Sequence, residues 1–264
     1  MDLELTGCAA LVTGSSGGIG TAIAVRLAAE GCDVLVHGRD AAAAAKAAEE
    51  VARRGVRTEV VLGDLAEEGA AESIGAAARS FGARILVNNA GPFSEHDWDS
   101  AEPADWAAAF DGNVISAVRM TREMVPSMRE CGWGRVINVG SRAVTTPLPN
   151  MVEYSAAKAA VVNMTTSLAR HLAGTGVTAN CVSPGVIMTP SLRSMFQERA
   201  RTRGEDDGWG RLEPEVTSRY APNPVGRLGR PDDVAAAVAY LAGPVADYVN
   251  GINLRVDGGI THTP

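Results

Sequence analysis

The chain has 264 residues, of which 46% are hydrophobic, and a formal net charge of −7. This length is typical of a single α/β domain and is enough to bury a large core without disulfides or a structural metal. An acidic balance disfavours nucleic-acid binding, which depends on lysine and arginine contacts to phosphate. We therefore expect one domain over residues 1–264 and no nucleic-acid partner.

The cysteines, the N-terminus and the hydropathy pattern bear on the cellular compartment. The four cysteines are widely separated and have no histidine at ligand spacing, which predicts free thiols and no metal site: Cys8, Cys32, Cys131 and Cys181. The segment Met1–Leu5 is acidic and lacks the basic and apolar regions of a signal peptide. No apolar run approaches the roughly 20 residues of a membrane span. These features predict a cytoplasmic protein that does not cross a membrane.

The first predicted elements alternate between strand and helix. Cys8–Thr13 is an apolar run, typical of a strand, and it ends at a cluster of glycines. Isoleucine or leucine then recurs at every fourth position from residue 19 to residue 27, which indicates a helix, and Gly31 follows where its C-cap would lie. Asp33–His37 predicts the next strand, and the alanine-rich segment Ala41–Arg54 predicts the next helix.

The same alternation continues through the rest of the chain. Four more segments are predicted strands: Thr58–Gly63, Arg84–Asn88, Arg135–Val139 and Val177–Val182. Two long segments, Trp106–Arg129 and Tyr154–Leu172, are predicted helices. Strands without strict polar alternation, separated by helices, indicate a parallel sheet that is covered on both faces. The predicted fold class is α/β, as a single-domain doubly wound parallel sheet of the Rossmann type.

The segment Thr189–Gly226 is predicted to be irregular, because it is rich in charge and contains four prolines. A connection of that length in a compact domain is typically a functional lid or is partly disordered. We therefore expect a substrate loop, or lid, at about 189–226. Its apolar residues would form a wall of the substrate pocket, or alternatively attach the loop to the core: Leu192, Met195, Phe196 and Trp209.

The first motif with chemical meaning is TGSSGGIG at residues 13–20, between the first predicted strand and the first predicted helix. Glycines let the backbone approach a pyrophosphate, and a helix N-terminus supplies N–H donors and the positive end of a dipole. The motif predicts a dinucleotide site, and a tight connection without a ligand is the alternative. A nucleoside-triphosphate loop is disfavoured, since no lysine with a following serine or threonine comes after the last glycine.

A second group of residues suggests acid/base chemistry. Tyr154 and Lys158 are four positions apart in a predicted helix, so they share one face. An ammonium beside the ring would favour the phenolate and lower the pKa of Tyr154. Ser141, at the end of a predicted strand, could donate a hydrogen bond to a substrate oxygen. Each residue alone is ordinary, and only the combination points to catalysis.

Together these motifs resemble the short-chain dehydrogenase/reductase family, in its roughly 250-residue form. The resemblance extends from about Leu5 to Gly259. The matching segments are TGSSGGIG at 13–20, Asp64-Leu65, NNAG at 88–91, Asn113, Ser141, Tyr154, Lys158, PGVIMT at 184–189 and DGG at 257–259. One departure is Gly140, where relatives often carry a second serine.

The resemblance implies four catalytic residues: Asn113, Ser141, Tyr154 and Lys158. In that scheme Tyr154 gives its proton to the carbonyl oxygen and Ser141 holds that oxygen. Lys158 binds the nicotinamide ribose and lowers the pKa of Tyr154, while Asn113 positions a water that links Lys158 to solvent.

The resemblance also implies which residues contact the cofactor. They are Gly14, Ser16, Gly18, Ile19, Gly20, Arg39, Asp64, Leu65, Asn88, Ala90, Gly91, Tyr154, Lys158, Pro184, Gly185, Ile187 and Thr189. Within this set, the pair Asp64-Leu65 would reach the adenine, and the segment 184–189 would meet the nicotinamide carboxamide.

The end of the second predicted strand bears on the choice between NADP(H) and NAD(H), since the residue there reads the ribose 2′ position. Gly38 leaves space, and Arg39 offers a planar fork of donors suited to a phosphate, so we predict a preference for NADP(H). Asp40 could instead bind the free 2′-hydroxyl and favour NAD(H), although its position also suits the N-cap of the next helix. No basic residue lies inside the glycine motif, so NAD(H) remains possible.

The predicted function is NADP(H)-dependent hydride transfer between the nicotinamide and a ketone or secondary alcohol, with greatest similarity to 3-oxoacyl-acyl-carrier-protein reductases. An NAD-dependent alcohol or sugar dehydrogenase of the same family is the alternative, and a non-catalytic NAD(P)-binding sensor is a weaker one. The predicted partner is a small carbonyl or alcohol substrate. The resemblance further implies a homotetramer, or a dimer, paired through the helices Trp106–Arg129 and Tyr154–Leu172 and the C-terminal strand.

Overall fold

Strands and helices alternate over residues 1–261, which the computed structural model describes. The strands are β1 (Ala9–Val12), β2 (Asp33–Gly38), β3 (Thr58–Leu62), β4 (Ile85–Asn88), β5 (Gly134–Val139), β6 (Val177–Pro184) and β7 (Asn253–Val256). The helices are α1 (Gly18–Ala29), α2 (Ala41–Ala52), α3 (Ala70–Phe81), α4 (Pro103–Phe110), α5 (Ser116–Glu130), α6 (Val152–His171), α7 (Pro190–Thr202), α8 (Trp209–Glu215) and α9 (Pro231–Ala242). The last three residues of the predicted domain, 262–264, lie outside the described part. No helix within residues 1–261 is long and apolar enough to cross a membrane.

The seven strands form one sheet in the order β3-β2-β1-β4-β5-β6-β7, and every neighbouring pair is parallel. This confirms the predicted doubly wound sheet. Because all strands run the same way, their carboxyl ends lie along one edge. The strand order reverses between β1 and β4, and ligands bind at such a reversal in open α/β sheets.

Both faces of the sheet are covered, which explains why the strands read as continuous apolar runs. In β1, Ala10 and Val12 pack into the core under α1, α2 and α9, whereas Ala9 and Leu11 pack into the core under α3 and α5. Successive side chains of a strand point to opposite faces, so a strand buried on both faces needs an apolar residue at every position. All four side chains of β1 are accordingly buried.

The predicted helix Trp106–Arg129 is longer and less regular than expected. Helix α4 begins at Pro103, and a π-helical turn at Asp111–Ile115 joins it to α5. Such turns insert one extra residue into an α-helix and often occur at functional sites. The turn carries Asn113, one of the residues predicted to be catalytic.

The prediction that Thr189–Gly226 is irregular is wrong, because the segment contains α7, α8 and a π-helical turn at Val216–Tyr220. Pro190 is the first residue of α7, where a missing N–H breaks no helical hydrogen bond, and the Thr189 hydroxyl caps that helix by accepting from the Leu192 N–H at 3.2 Å. The opposite charges form ion pairs within the segment, such as Arg201 with Asp207 at 2.6 Å.

The apolar residues of the same segment pack mainly on each other. Leu192, Phe196 and Trp209 line a small cluster with four buried residues: Val216, Ala221, Leu228 and Ile260. This packing favours the expectation that they attach the segment to the rest of the chain over the expectation that they form a pocket wall.

The glycine-rich turn between β1 and α1, called the glycine turn below, packs closely against α1. A Cβ on Gly20 would overlap the carbonyl oxygen of Gly14 and would lie 2.6 Å from Nδ2 of Asn89. A Cβ on Gly17, in the same motif, would meet nothing within 4 Å. Gly20 is therefore required by close packing, whereas Gly17 is not.

We predict that Gly20→Ala destabilises the fold by about 1–3 kcal/mol, the range for overpacking a well-packed site. The free energy of unfolding, measured by urea denaturation, tests this. Gly17→Ala is the matched control and should lie within about 0.5 kcal/mol of the parent chain. Equal stability of the two variants would contradict this account of the turn.

Candidate active site

The glycine turn is held from behind by the segment that follows β4. The Thr13 hydroxyl accepts from the N–H groups of Asn89 and Ala90 at 3.0 and 3.1 Å. The Asn89 amide in turn donates to the carbonyl oxygens of Thr13 and Gly14 at 2.9 and 3.2 Å. Gly14 has a φ of +64°, in the left-handed region, and its Cα lies against Ala90. The predicted cofactor residues Gly14 and Ala90 are thus brought together, by an asparagine that sequence reasoning left out.

Asn88, predicted to contact the cofactor, has its side chain inside the sheet. Its Nδ2 donates to Oδ1 of Asn138 at 2.8 Å, and the Asn138 amide donates to the Thr165 hydroxyl at 2.8 Å. These bonds join β4, β5 and α6. The side-chain amide of Asn88 is therefore used to hold the sheet, and a cofactor contact would have to come from its main chain.

His37 is a second residue of this edge that sequence reasoning missed. Its ring is 3% exposed, and Nδ1 accepts from the Gly14 N–H at 3.0 Å. The ring proton must then be on Nε2, which donates to the carbonyl oxygen of Gly63 at 3.1 Å. Burial lowers the pKa of His37. The neutral ring therefore joins the glycine turn to the end of β3.

The ends of β2 and β3 place the residues predicted to select the cofactor. The Asp40 carboxylate accepts from the Ala43 N–H at 2.6 Å and so caps α2, as its position suggested. Arg39 is largely exposed, and its Nη1 lies 3.0 Å from Oδ2 of Asp64. The Ala66 N–H and the Arg39 guanidinium lower the pKa of Asp64. Arg39 and Asp64 are thus adjacent, while the side chain of Leu65 is buried in the core.

The segment 184–189 lies across the edge from the glycine turn. Gly185 packs against the turn that contains Asp257, where a Cβ would come within 2.8 Å of the Asp257 Cα. A Cβ on Gly18 would contact the Thr189 side chain at 3.6 Å. The two predicted cofactor segments therefore face each other, with the side chain of Ile187 buried between β6 and α9.

Three of the residues predicted to be catalytic are brought together beside the groove between the glycine turn and residues 184–189. They are Ser141, Tyr154 and Lys158. The Ser141 side chain accepts from the Ala143 N–H at 3.2 Å and is near enough to the Tyr154 hydroxyl to lower its pKa. Lys158 lies one turn further along α6, with its Nζ 5.7 Å from the centre of the Tyr154 ring. The same Nζ donates to the carbonyl oxygen of Val139 at 2.9 Å, which ties the lysine to the end of β5.

Asn113, the fourth predicted catalytic residue, approaches Lys158 across Gly91. Its Nδ2 donates to the carbonyl oxygens of Pro92 and Ala109, both at 2.9 Å, while its Oδ1 is buried without a partner. A Cβ on Gly91 would overlap that Oδ1 and would lie 3.2 Å from Nζ of Lys158. The unsatisfied Oδ1 of Asn113 and the ammonium of Lys158, which has N–H donors to spare, therefore both lie beside Gly91.

Burial acts in opposite directions on the two ionisable groups of α6. It lowers the pKa of Lys158 to about 8, and it raises the pKa of Tyr154. The hydrogen bond from Ser141 and the charge of Arg142 oppose the rise at Tyr154. We expected Lys158 to lower the pKa of Tyr154. In the structure burial outweighs any such effect, and the cation that acts on the hydroxyl is Arg142.

A rim of the site is formed by the loop between β4 and α4, which the sequence did not single out. The Phe93 ring meets the Tyr154 ring edge-on at 6.3 Å. Next to it, Nδ1 of His96 lies 2.8 Å from Oε1 of the buried Glu153, a contact that raises the pKa of His96. Glu95 pairs with Arg199 of α7 at 2.6 Å. The loop is thereby attached to both α6 and α7.

Within residues 1–261, no group of three or more histidine, cysteine, aspartate or glutamate side chains could hold a metal ion. The groups that the structure brings together at this edge are the tyrosine, the lysine, the serine and the groove beside the glycine turn. A parallel sheet with these groups at its carboxyl edge defines an oxidoreductase of the dinucleotide-binding class.

Comparison with known proteins identifies the family. The family model described as short chain dehydrogenase matches residues 8–200, so the chain belongs to the short-chain dehydrogenases. D-beta-hydroxybutyrate dehydrogenase of Cupriavidus necator is 35% identical over 97% of this chain and 98% of its own length. The 3-oxoacyl-[acyl-carrier-protein] reductase of Vibrio cholerae is 34% identical over 98% of this chain and 99% of its own length.

A solved structure covers the whole chain. L-sorbose reductase from Gluconobacter frateurii, complexed with NADPH and L-sorbose, superposes with a TM-score of 0.94 and is 33% identical, with 100% of both chains covered. The resemblance found in the motifs is thus confirmed at the level of family and fold.

The lowered pKa of His37 predicts acid sensitivity of the glycine turn. Below the usual pKa of 6.5 the unfolded chain binds a proton at this histidine that the folded chain excludes, so stability falls as the pH falls through that range. We predict that the free energy of unfolding drops more between pH 7.5 and 5.5 in the parent chain than in His37→Gln. The exposed His171→Gln is the control and should behave like the parent. An equal drop in all three chains would contradict the assignment.

Proposed function

We propose that the site reduces a ketone to a secondary alcohol, and catalyses the reverse oxidation, with NADP(H) as the hydride carrier and Tyr154 as the acid/base. One observation supports this above the others. Ser141 acts on the Tyr154 hydroxyl, and Lys158 lies one helical turn away with its Nζ 5.7 Å from the ring centre, beside a groove bounded by the glycine turn and residues 184–189.

The glycines that line this groove leave room for the cofactor. The left-handed backbone of Gly14 and Gly18 and the open space at Gly17 leave main-chain N–H groups at the start of α1 without side chains in the way. Such a helix N-terminus suits a pyrophosphate. The nicotinamide, when bound, supplies the hydride, and the chain's own residues handle the proton.

Proton transfer follows from the protonation states of the site. A raised pKa keeps the proton on Tyr154 at neutral pH, so that its hydroxyl can donate it to the substrate oxygen. Ser141 would donate a hydrogen bond to the same oxygen and stabilise charge there. The charges of Lys158 and Arg142 would then stabilise the phenolate left behind.

Reprotonation of Tyr154 requires a path to solvent. The unpartnered Oδ1 of Asn113 can accept from a water that also accepts from Nζ of Lys158, which would satisfy both buried groups. A lysine with a pKa of about 8 can give and regain a proton near neutrality. We propose this route for the proton.

Tyr154→Phe removes the transferable proton but keeps the ring, so kcat should fall by about 10²-fold or more. Binding of NADPH should change little, because the groove is untouched. Absorbance at 340 nm measures the first quantity and fluorescence titration the second. Tyr248→Phe, at a fully exposed tyrosine, is the control. Near-normal turnover by Tyr154→Phe would rule out the assigned role.

The preference for NADP(H) is supported by the end of β2. Asp40 is committed to capping α2, which leaves Arg39 as the group at that end able to meet a 2′-phosphate. Bound NADPH in L-sorbose reductase, a relative similar over its full length, supports the same choice. Asp64 holds the guanidinium at the end of the strand, where the adenosine ribose is expected.

Arg39→Ala should raise the KM for NADPH at least tenfold, a change of about 1.4 kcal/mol, and leave the KM for NADH nearly unchanged. Initial-rate kinetics with both cofactors measure the two values. Arg54→Ala removes the same charge from an exposed site after α2 and should leave both unchanged. Better turnover with NADH than with NADPH in the parent chain would show that Arg39 does not select the cofactor.

The proposed reaction is compatible with several classes of substrate. The relatives named above act, by their names, on a hydroxy acid, an acyl thioester and a ketose, and all three contain the ketone or secondary alcohol that the site requires. An NAD-dependent sugar dehydrogenase remains the alternative. A non-catalytic sensor would have no use for a complete set of proton-transfer groups.

We also propose that the segment 189–226 closes over the substrate, because the pairing of Arg199 with Glu95 brings α7 to the rim of the site. A homotetramer, or a dimer, is proposed on the basis of exposed apolar and small residues on the surfaces of α5, its preceding turn and α6: Ile115, Val118 and Ala159. The cytoplasmic location stays a prediction.

A further inference from the structure

Arg142 follows the proposed catalytic serine directly, at the start of a short 3₁₀ turn, Arg142–Val144, after β5. Its side chain is half-buried, and its charge acts on the Tyr154 hydroxyl. Because Arg142 adjoins Ser141 at the carboxyl end of β5, its long side chain can reach the point where the substrate oxygen would bind. The motifs of the sequence do not account for an arginine here, and the proposed proton transfer uses only its charge.

The pairing of the other arginines makes Arg142 unusual. Among residues 1–261, five arginines are buried or half-buried: Arg84, Arg119, Arg135, Arg142 and Arg199. Four of them use their guanidinium on a protein carbonyl, carboxylate or thiol. The side chain of Arg142 has no hydrogen bond or ion pair with any of the described residues. Partial burial of an unpaired cation is unfavourable unless a ligand supplies the anion.

Nearby cations of the lid and the rim are already neutralised. Arg199 pairs with Glu95, and His96 pairs with Glu153. Lys158 is bonded to a main-chain carbonyl and is buried. Arg142 is thus the one described cation next to the Tyr154 hydroxyl that is half-accessible and without a partner.

We propose that Arg142 binds a carboxylate of the substrate, so that the enzyme acts on keto acids and hydroxy acids in preference to neutral ketones and alcohols. This inference rests on the proposed function and narrows its substrate class. A guanidinium can form two parallel hydrogen bonds with a carboxylate, which would orient the carbonyl carbon relative to Tyr154 as well as add affinity.

The test compares each keto acid with its neutral methyl ester, since the reacting ketone is the same in both. Acetoacetate and levulinate are the two acids, assayed with NADPH. In the parent chain kcat/KM should be higher for the acid in at least one pair. Arg142→Gln should lower kcat/KM for that acid by about 10–100-fold and for its ester by a clearly smaller factor, because both reactions lose the charge beside Tyr154 but only the acid loses the carboxylate contact. Arg142→Lys should retain part of the preference.

Two results would overturn the proposal. One is a parent chain that reduces the esters as well as the acids. The other is an equal loss for acid and ester in Arg142→Gln, because that would mean that Arg142 acts only through Tyr154. Arg129→Gln, at an exposed arginine near the end of α5, removes the same charge elsewhere and should change neither value.

A binding measurement separates this proposal from the proposed function. Butyrate, which has a carboxylate but no ketone, should raise the Tm of the parent chain loaded with NADP+ more than butyramide does. Arg142→Gln should remove that difference. If no ketone is reduced but butyrate still stabilises the parent selectively, the proposed reaction fails and the carboxylate site stands. Equal effects of butyrate and butyramide on the parent would count against Arg142 as a carboxylate site.

Discussion

The close approach of α1 to the glycine turn is the contact on which the rest of the site depends. Gly20 allows the helix to lie against the Gly14 carbonyl and Asn89, and this fixes where the first N–H groups of α1 point. The turn is further held by Asn89 and by the ring of His37. A groove for a pyrophosphate requires that these donors be in place before the ligand arrives, because ordering them on binding would reduce affinity.

Burial then sets the protonation states that the chemistry uses. Desolvation raises the pKa of Tyr154 and lowers that of Lys158 to about 8, so two groups of similar acidity in water move apart and the lysine becomes the stronger acid. Cations beside the tyrosine are needed to stabilise the phenolate after transfer. Arg142 would serve this purpose as well as binding a carboxylate, which is why the two effects are separated by comparing acids with esters.

The loop after β4 connects the catalytic helix with the proposed lid. Phe93 touches Tyr154, His96 is bound to Glu153 at the start of α6, and Glu95 is paired with Arg199 of α7. Movement of α7 would therefore affect the contacts at the edge of the Tyr154 ring. Three contacts of this kind would give the proposed substrate pocket a wall whose position depends on the proposed lid.

The sequence by itself determined the parallel sheet and the placement of the proposed catalytic residues Tyr154 and Lys158 on one helix face. Strands buried on both faces must be apolar throughout, and Tyr154 and Lys158 share a helix face by their spacing, so both features are readable locally. The roles of His37, Asn89 and Arg142 were decided only by the tertiary structure, because each depends on partners from strands or turns distant in the chain. Prolines and mixed charge made 189–226 look irregular, yet Pro190 starts a helix and the charges pair across its turns. Local composition cannot distinguish a helix-breaking proline from one at a first helical position, since the difference lies in which neighbours the folded chain supplies.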